Sequence, residues 1–492
     1  MQSVILFLIL LLLLPPNGLL TENEENYFQL AAQATTGAPG GPNSAVFDAS
    51  SHRYVNELLL GHLIALVGYE ATQIITRTLT AAGFALILPL VFRSMTLSAL
   101  DGAIVLIVFD LLGQTLIGGE WIFNGFESKV VAYGFVLAAI YAARTKHSPV
   151  PATVLCVGAT YFHFLIGIFW FFAILGLRLT ENRSDLGRSV RAAIGFVLAT
   201  APLTVTIILT RMHASTAGVL SDGPSPDVIF SLIREPWHSA PFASRYEFVV
   251  NWLPGYLLAA AMFAGCITII RTTSDPKQRS FAIWVSLLIA YLFLALVPAF
   301  IERHTGAVGK FYPFRPASLI LLLWLALAIA WVNGLATRYL PAIKLLCLAL
   351  LVPSLFSSVL MRALHDTNAP RTFGADKQAV AEYLAKTTTP DAVVVIDPAV
   401  ELSFLDFERR TGRPALVLWK FAPTNDPDLR EWFRRIQFRE ALFSQGCRPN
   451  PAHRTDFLLA TPATVPVLSP NCGSVVLETP HWRLVRRDNP GN

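Results

Sequence analysis

Long apolar runs, each closed by a polar or charged stretch, fill the first three quarters of the chain. A spanning helix needs about 20 apolar residues. Runs near that length occupy residues 4–20, 75–92, 97–117, 130–143, 150–177, 192–210, 248–270, 281–301, 317–335 and 342–361. The run 150–177 is too long for one span and too short for two full ones. It reads as two short helices joined near Tyr161, Phe162 and His163. With that split the pattern predicts about eleven crossings.

Residues 21–74 form a long loop between the first two runs, too polar at its start for a membrane and too apolar later for a free linker. Val55, Leu58, Leu59, Leu63 and Leu66 recur at helical spacing. They predict an amphipathic helix on the membrane surface, or one packed on the bundle. After residue 361 the pattern changes. Residues 377–386 and 426–437 read as helices, and runs at 392–396, 415–419, 456–460, 474–478 and 482–486 read as strands. The expected architecture is mainly α: a polytopic helical membrane bundle over residues 1–365, then a small α/β domain over 366–492.

Composition agrees with a membrane protein. Charged residues make up 14% of the chain, against about 25% in soluble domains. The net charge of +5 does not indicate a nucleic-acid partner, because the Lys and Arg residues sit mostly in loops. Arg93, Arg144, Lys146, Arg178, Arg183, Arg188 and Arg191 fall in loops on one side, with Arg271, Lys277, Arg279, Arg338 and Lys344. The other side holds fewer. The bias predicts a cytoplasmic N-terminus and, with an odd number of crossings, a tail outside the cytoplasm. No Lys or Arg precedes the first apolar run, so it reads as an uncleaved span rather than a signal peptide. Cys156, Cys266 and Cys347 lie in apolar runs as small hydrophobes. Cys447 and Cys472 share the tail, where an oxidising compartment would favour a disulfide.

The chain has no phosphate-binding Walker loop, no dinucleotide fingerprint and no nucleophile elbow. Chemistry must come from charged groups in outside loops, and three clusters offer it. Glu22-Asn23-Glu24-Glu25-Asn26-Tyr27 follows the first span. Gly118-Gly119-Glu120-Trp121 opens a short loop that ends in Glu127-Ser128-Lys129. A carboxylate there, beside large apolar groups, is expected to have a raised pKa suited to proton transfer. Arg234, His238, Arg303, His304, Lys310 and Arg315 form the third cluster, positive charge on the side that disfavours it. Arg suits a bidentate grip on phosphate. Each cluster also has a plainer role: a solvated helix start, an ion pair, or head-group anchoring. Asp110 falls inside an apolar run, where ionised residues are usually functional or paired.

This arrangement resembles the GT-C class of membrane glycosyltransferases. Many members carry Asp-Glu-x-x-Tyr after the first span. Here the matching residues are Asn23-Glu24-Glu25-Asn26-Tyr27. An amide cannot act as a general base, so Asn23 departs from the pattern and Glu24 becomes the candidate. More narrowly, the Gly118-Gly119-Glu120-Trp121 loop and the tail resemble an uncharacterised bacterial family of GT-C-like membrane proteins. The tail segments are Thr389-Pro390-Asp391-Ala392, Thr411-Gly412-Arg413-Pro414, Trp419-Lys420, Glu431-Trp432 and Arg434-Arg435.

The resemblance implies a bacterial inner-membrane enzyme that moves a sugar from a polyprenyl-phosphate donor to a saccharide or lipid acceptor on the outer face. Glu24, Glu120 or Glu25 would be the base. Arg303, His304, Lys310, Arg315, Arg234 and His238 would hold lipid phosphate, and a divalent cation, Mg or Mn, is a candidate cofactor. Two alternatives stand beside it. One is a non-catalytic scaffold of a polysaccharide assembly system, which Asn23 favours. The other is a transporter, which would need midplane ionisable groups and internal repeats. Asp110 is its one strong midplane candidate.

Overall fold

A computed structural model of the protein describes residues 2–36, 54–216, 223–335, 340–445, 453–465 and 472–488. The first helix, α1 (Gln2–Leu13), ends just before Pro15 and Pro16, whose rings disfavour a continuing helix. A surface pair follows, α2 (Glu22–Thr36) and α3 (Tyr54–Val67). Its own small core holds Phe28, Ala31, Leu60 and Ile64. Gly61 allows the contact: a Cβ there would lie 1.9 Å from Thr35 Oγ1. The expected amphipathic helix is therefore α3. One face packs on α2, while Leu59 and Leu66 stay exposed.

The bundle contains α4 (Tyr69–Ser94), α5 (Ala99–Leu111), α6 (Ser128–Thr145), α7 (Val150–Phe162), α8 (Phe164–Glu181) and α9 (Leu186–Thr216). It continues with α10 (Leu253–Thr272), α11 (Pro276–Leu294), α12 (Ala317–Gly334) and α13 (Leu340–Thr372). Among the described residues six helical stretches are long and apolar enough to cross a membrane, and four shorter apolar helices accompany them. The chain is a multi-pass membrane protein. One apolar core runs through the bundle, with Trp170, Trp252 and Trp284 buried in it. The expected split at 161–163 is present: α7 and α8 meet at His163, whose backbone is extended. Gly167 lets the two helices touch there, since a Cβ would lie 2.2 Å from Thr160 Oγ1.

Asp110 has a structural role. It closes the last turn of α5, buried, and accepts from Gln114 Nε2 at 3.0 Å. The Gln114 carbonyl oxygen in turn accepts from the Ile122 and Phe123 amides. The carboxylate thus orders the loop between α5 and α6.

In the tail, α14 (Gly374–Thr387), α15 (Phe407–Thr411) and α16 (Asp426–Gln445) flank a small mixed sheet. Its strands are β1 (Val394–Ile396), β2 (Phe457–Ala460), β3 (Ser474–Glu478) and β4 (Arg483–Arg486), in the order β1-β2-β4-β3. β1 pairs parallel with β2, and β4 runs antiparallel to both β2 and β3. The expected strand at 415–419 is not one. Ala415 makes an isolated bridge to Val394, and the chain then turns. Helix α13 runs without a break through residue 365 toward the tail, so no loop marks the expected boundary. Ile229 and Phe230, from a short helical segment between α9 and α10, pack into the tail's core with Trp432 and Leu458. The tail is seated on the bundle by apolar contact as well as by charge. Cys472 is buried and disulfide-bonded; Cys447 lies outside the described residues.

Candidate active site

Between the bundle, the α2–α3 pair and the tail lies a cavity of about 1580 Å³. All three sequence clusters contribute residues to its wall, and the tail adds Arg409, Arg410 and Lys420. The loop before α6 turns sharply at Gly118 (φ +74°) and Gly119 (φ +61°), a backbone region that glycine occupies without strain. The turn brings Gly119 against His238, whose Nδ1 pairs with the Gly118 carbonyl.

Glu120 is the electrostatic centre. It is buried, and its two oxygens face Arg315 Nε at 2.8 Å and Lys129 Nζ at 3.0 Å. Burial opposes its ionisation. Arg315, Lys129 and His238 outweigh burial and hold the carboxyl below the usual range. This overturns the expectation of a raised pKa: the apolar neighbours are real, but two cations neutralise their effect. A carboxylate so stabilised is a poor proton acceptor. Arg315 is itself held by His163 Nε2 at 3.0 Å and stacks on the Tyr312 ring at 3.9 Å. Tyr312, in the left-handed region (φ +45°), donates to Glu235. Burial and then Glu235 push the Tyr312 hydroxyl well above its ordinary value.

The carboxylates of the first cluster are not where the motif suggests. Glu24 is fully buried and does not border the cavity. Its oxygens accept from Arg77 Nε at 2.8 Å, from Arg77 Nη2 at 2.5 Å, and from the Thr21 and Phe126 amides. Both Glu24 oxygens are thus held by partners away from the cavity. Glu25 does border the cavity, but Arg409 of the tail holds it at 2.6 Å. Burial nevertheless raises its pKa. Asn23 points into the cavity wall and donates from Nδ2 to Glu127 Oε1 at 2.6 Å. The other Glu127 oxygen stands 3.4 Å from Lys129 Nζ. Glu127 is buried yet borders the cavity. Its loop marks it as a carboxylate suited to proton transfer, with a Glu127–Lys129 ion pair as the plainer role, but does not single it out as the base; its pairing with Asn23 comes from the fold.

The basic cluster divides. Arg315, Arg234 and His238 border the cavity, whereas Arg303 and His304 do not. Arg303 folds back onto the Phe300 carbonyl and ring. Lys310 borders the cavity but pairs with Asp227 at 2.6 Å and Asp426 at 2.9 Å. It ties the loop to the tail and is not open to a phosphate. Arg234 donates to the Trp419 carbonyl at 3.0 Å and the Lys420 carbonyl at 3.3 Å. Burial, then Arg234, lowers the Lys420 pKa. Among the described residues no group of three or more His, Cys, Asp or Glu is arranged to hold a metal ion. Lys129 lies between Glu120 and Glu127 and pairs with both.

Residues 375–438 match a domain of unknown function, DUF6798. Every tail residue bordering the cavity falls inside that segment. The crystal structure of ArnT from Cupriavidus metallidurans bound to undecaprenyl phosphate aligns over 99% of each chain, with TM-score 0.51 and 13% identity. The apo structure of ArnT aligns over 98% of this chain and 97% of ArnT, with TM-score 0.43 and 12% identity. No curated protein matches in sequence. The chain has a GT-C-like membrane fold. At this identity the likeness concerns the fold.

Proposed function

We propose that the protein is a GT-C-like glycosyltransferase that takes a sugar from a polyprenyl-phosphate donor. The observation that carries the proposal is the pairing of Glu127 with Asn23 beside Arg315 and Lys129 in one buried wall of the cavity. Such a site holds an anion and a proton acceptor side by side. The likeness to a solved fold bound to undecaprenyl phosphate supports the lipid class of the donor.

In this reading Glu127 deprotonates the acceptor hydroxyl. Asn23 fixes one of its oxygens, and Lys129 Nζ stands 3.4 Å from the other. Arg315 and Lys129 stabilise the departing phosphate, with Arg234 and His238 further along the wall. Glu120 keeps Arg315 and Lys129 in place and is not the base. The ammonium of Lys129 supplies charge between the two carboxylates. The N-terminus would lie in the cytoplasm and the tail outside it, so that transfer occurs on the outer face of the inner membrane.

The test is transfer from a polyprenyl-phosphate sugar to a saccharide or lipid acceptor in proteoliposomes. Glu127→Gln should lose about 10²–10⁴-fold in rate, the usual contribution of a general base, with melting temperature unchanged. Full activity in Glu127→Gln would leave the fold but remove this mechanism. A parent protein with no transfer to any acceptor would favour the scaffold reading.

A further inference from the structure

We infer a second binding site, for an anionic phospholipid, in a groove between α7 and α9. The inference is independent of the proposed transfer reaction. The groove encloses about 740 Å³. Its mouth is basic: His147 precedes α7, and Arg188 and Arg191 stand in the first turns of α9. Its wall is apolar, from Val150, Val154 and Val157 on α7 and Gly195 and Ala199 on α9. Far from the mouth the two helices are joined, since Tyr161 donates to the Ala199 carbonyl at 3.1 Å.

The dimensions suit one leaflet. From Val150 to Tyr161 the helix rises about 16 Å, and half of a roughly 30 Å hydrocarbon core is about 15 Å. Farther along, at His163 and Thr204, the same two helices border the large cavity. The groove therefore opens in the leaflet opposite that cavity. Charge decides the head group. Arg188 shares Asp185 at 3.2 Å with an exposed guanidinium, and Asp185 is already held by Arg178. Arg191 donates to the Gly187 carbonyl at 3.4 Å and has no carboxylate partner among the described residues. The N-termini of α7 and α9 add partial positive charge at the same mouth. A phosphate there would gain two guanidinium contacts, and basic pockets between spanning helices bind anionic lipid head groups in this way. One acyl chain would lie along the valines and over Gly195. A Cβ on Gly195 meets nothing within 4 Å, so that space is open.

The experiment is native mass spectrometry of the full chain, released from neutral detergent, with phosphatidylglycerol, phosphatidylcholine or glycerol phosphate added. Phosphatidylglycerol should be retained and the other two should not. The double variant Arg188→Ala, Arg191→Ala should weaken retention about 30-fold, the factor for two basic contacts near a membrane surface. Gly195→Leu keeps both arginines and fills the groove, so it should also release the lipid while leaving the lipid-free melting temperature unchanged. Equal retention of phosphatidylcholine, displacement by glycerol phosphate, or unchanged binding in both variants would each overturn the inference.

Discussion

The side-chain amide of Asn23 donates to Glu127 Oε1 at 2.6 Å, across 104 residues of sequence. The loop after α1 thus lacks a carboxylate at the motif's leading position, and the loop before α6 brings one to it. An acid in place of Asn23 would face Glu127 as a like charge.

Asn23→Asp should therefore move the acidic limb of the pH–rate profile to higher pH. Two carboxylates at hydrogen-bond distance cannot both ionise without cost, so they titrate as a coupled pair. Asn23→Ala should lower the rate without that shift. A profile identical to the parent's in Asn23→Asp would show that the pair does not take part in transfer.

Glu24→Gln should cost stability rather than chemistry. Removing one partner of a buried ion pair costs about 3–5 kcal/mol, and Arg77 is buried with Glu24. Melting in detergent should drop markedly, while the surviving folded protein keeps its turnover. Loss of turnover at unchanged melting temperature would restore Glu24 as a base candidate.

Arg315→Lys keeps the charge but loses the planar fork that spans Glu120 and His163. Binding of a polyprenyl-phosphate analogue should weaken about tenfold, roughly the value of one charge-assisted hydrogen bond. Arg315→Ala should weaken it further and also lower stability, because Glu120 then keeps only Lys129. Unaltered analogue affinity in both variants would move the donor site toward Arg234 and His238.

Glu25 should make stability depend on pH with a defined sign. Its folded pKa is raised above the ordinary 4.5 by burial. The folded state thus binds the proton more tightly, a contribution fully present below the unfolded pKa and lost as pH rises through the folded one. Glu25→Gln should flatten the dependence of melting temperature on pH above 4.5. Arg409→Ala should steepen it, because the cation that opposes the rise is gone. Identical pH dependence in all three proteins would exclude Glu25 as the source.

Reduction of the Cys472 disulfide should destabilise the tail by about 2–5 kcal/mol. Mass mapping without reductant should find Cys472 linked, and Cys156 and Cys266 free. A free Cys472 in protein isolated from the envelope would place the tail in a reducing compartment. That result would reverse the topology inferred from loop charge.

Apolar run length and loop polarity by themselves determined that this is a multi-pass helical membrane protein with a small α/β tail. Both are local properties: a spanning helix satisfies its own backbone, so its signal lies in about 20 consecutive residues. The break at His163 and the surface helix α3 were legible for the same reason. What the residues do in the cavity was not. Glu24, Glu25, Glu120 and Glu127 are alike in sequence, and each is assigned by a partner distant along the chain: Arg77, Arg409, Arg315 and Asn23. Burial raises a carboxylate's pKa and a nearby cation lowers it. Only the tertiary structure decides which wins, because it alone brings Arg315 and Lys129 to Glu120 and sets Asn23 against Glu127.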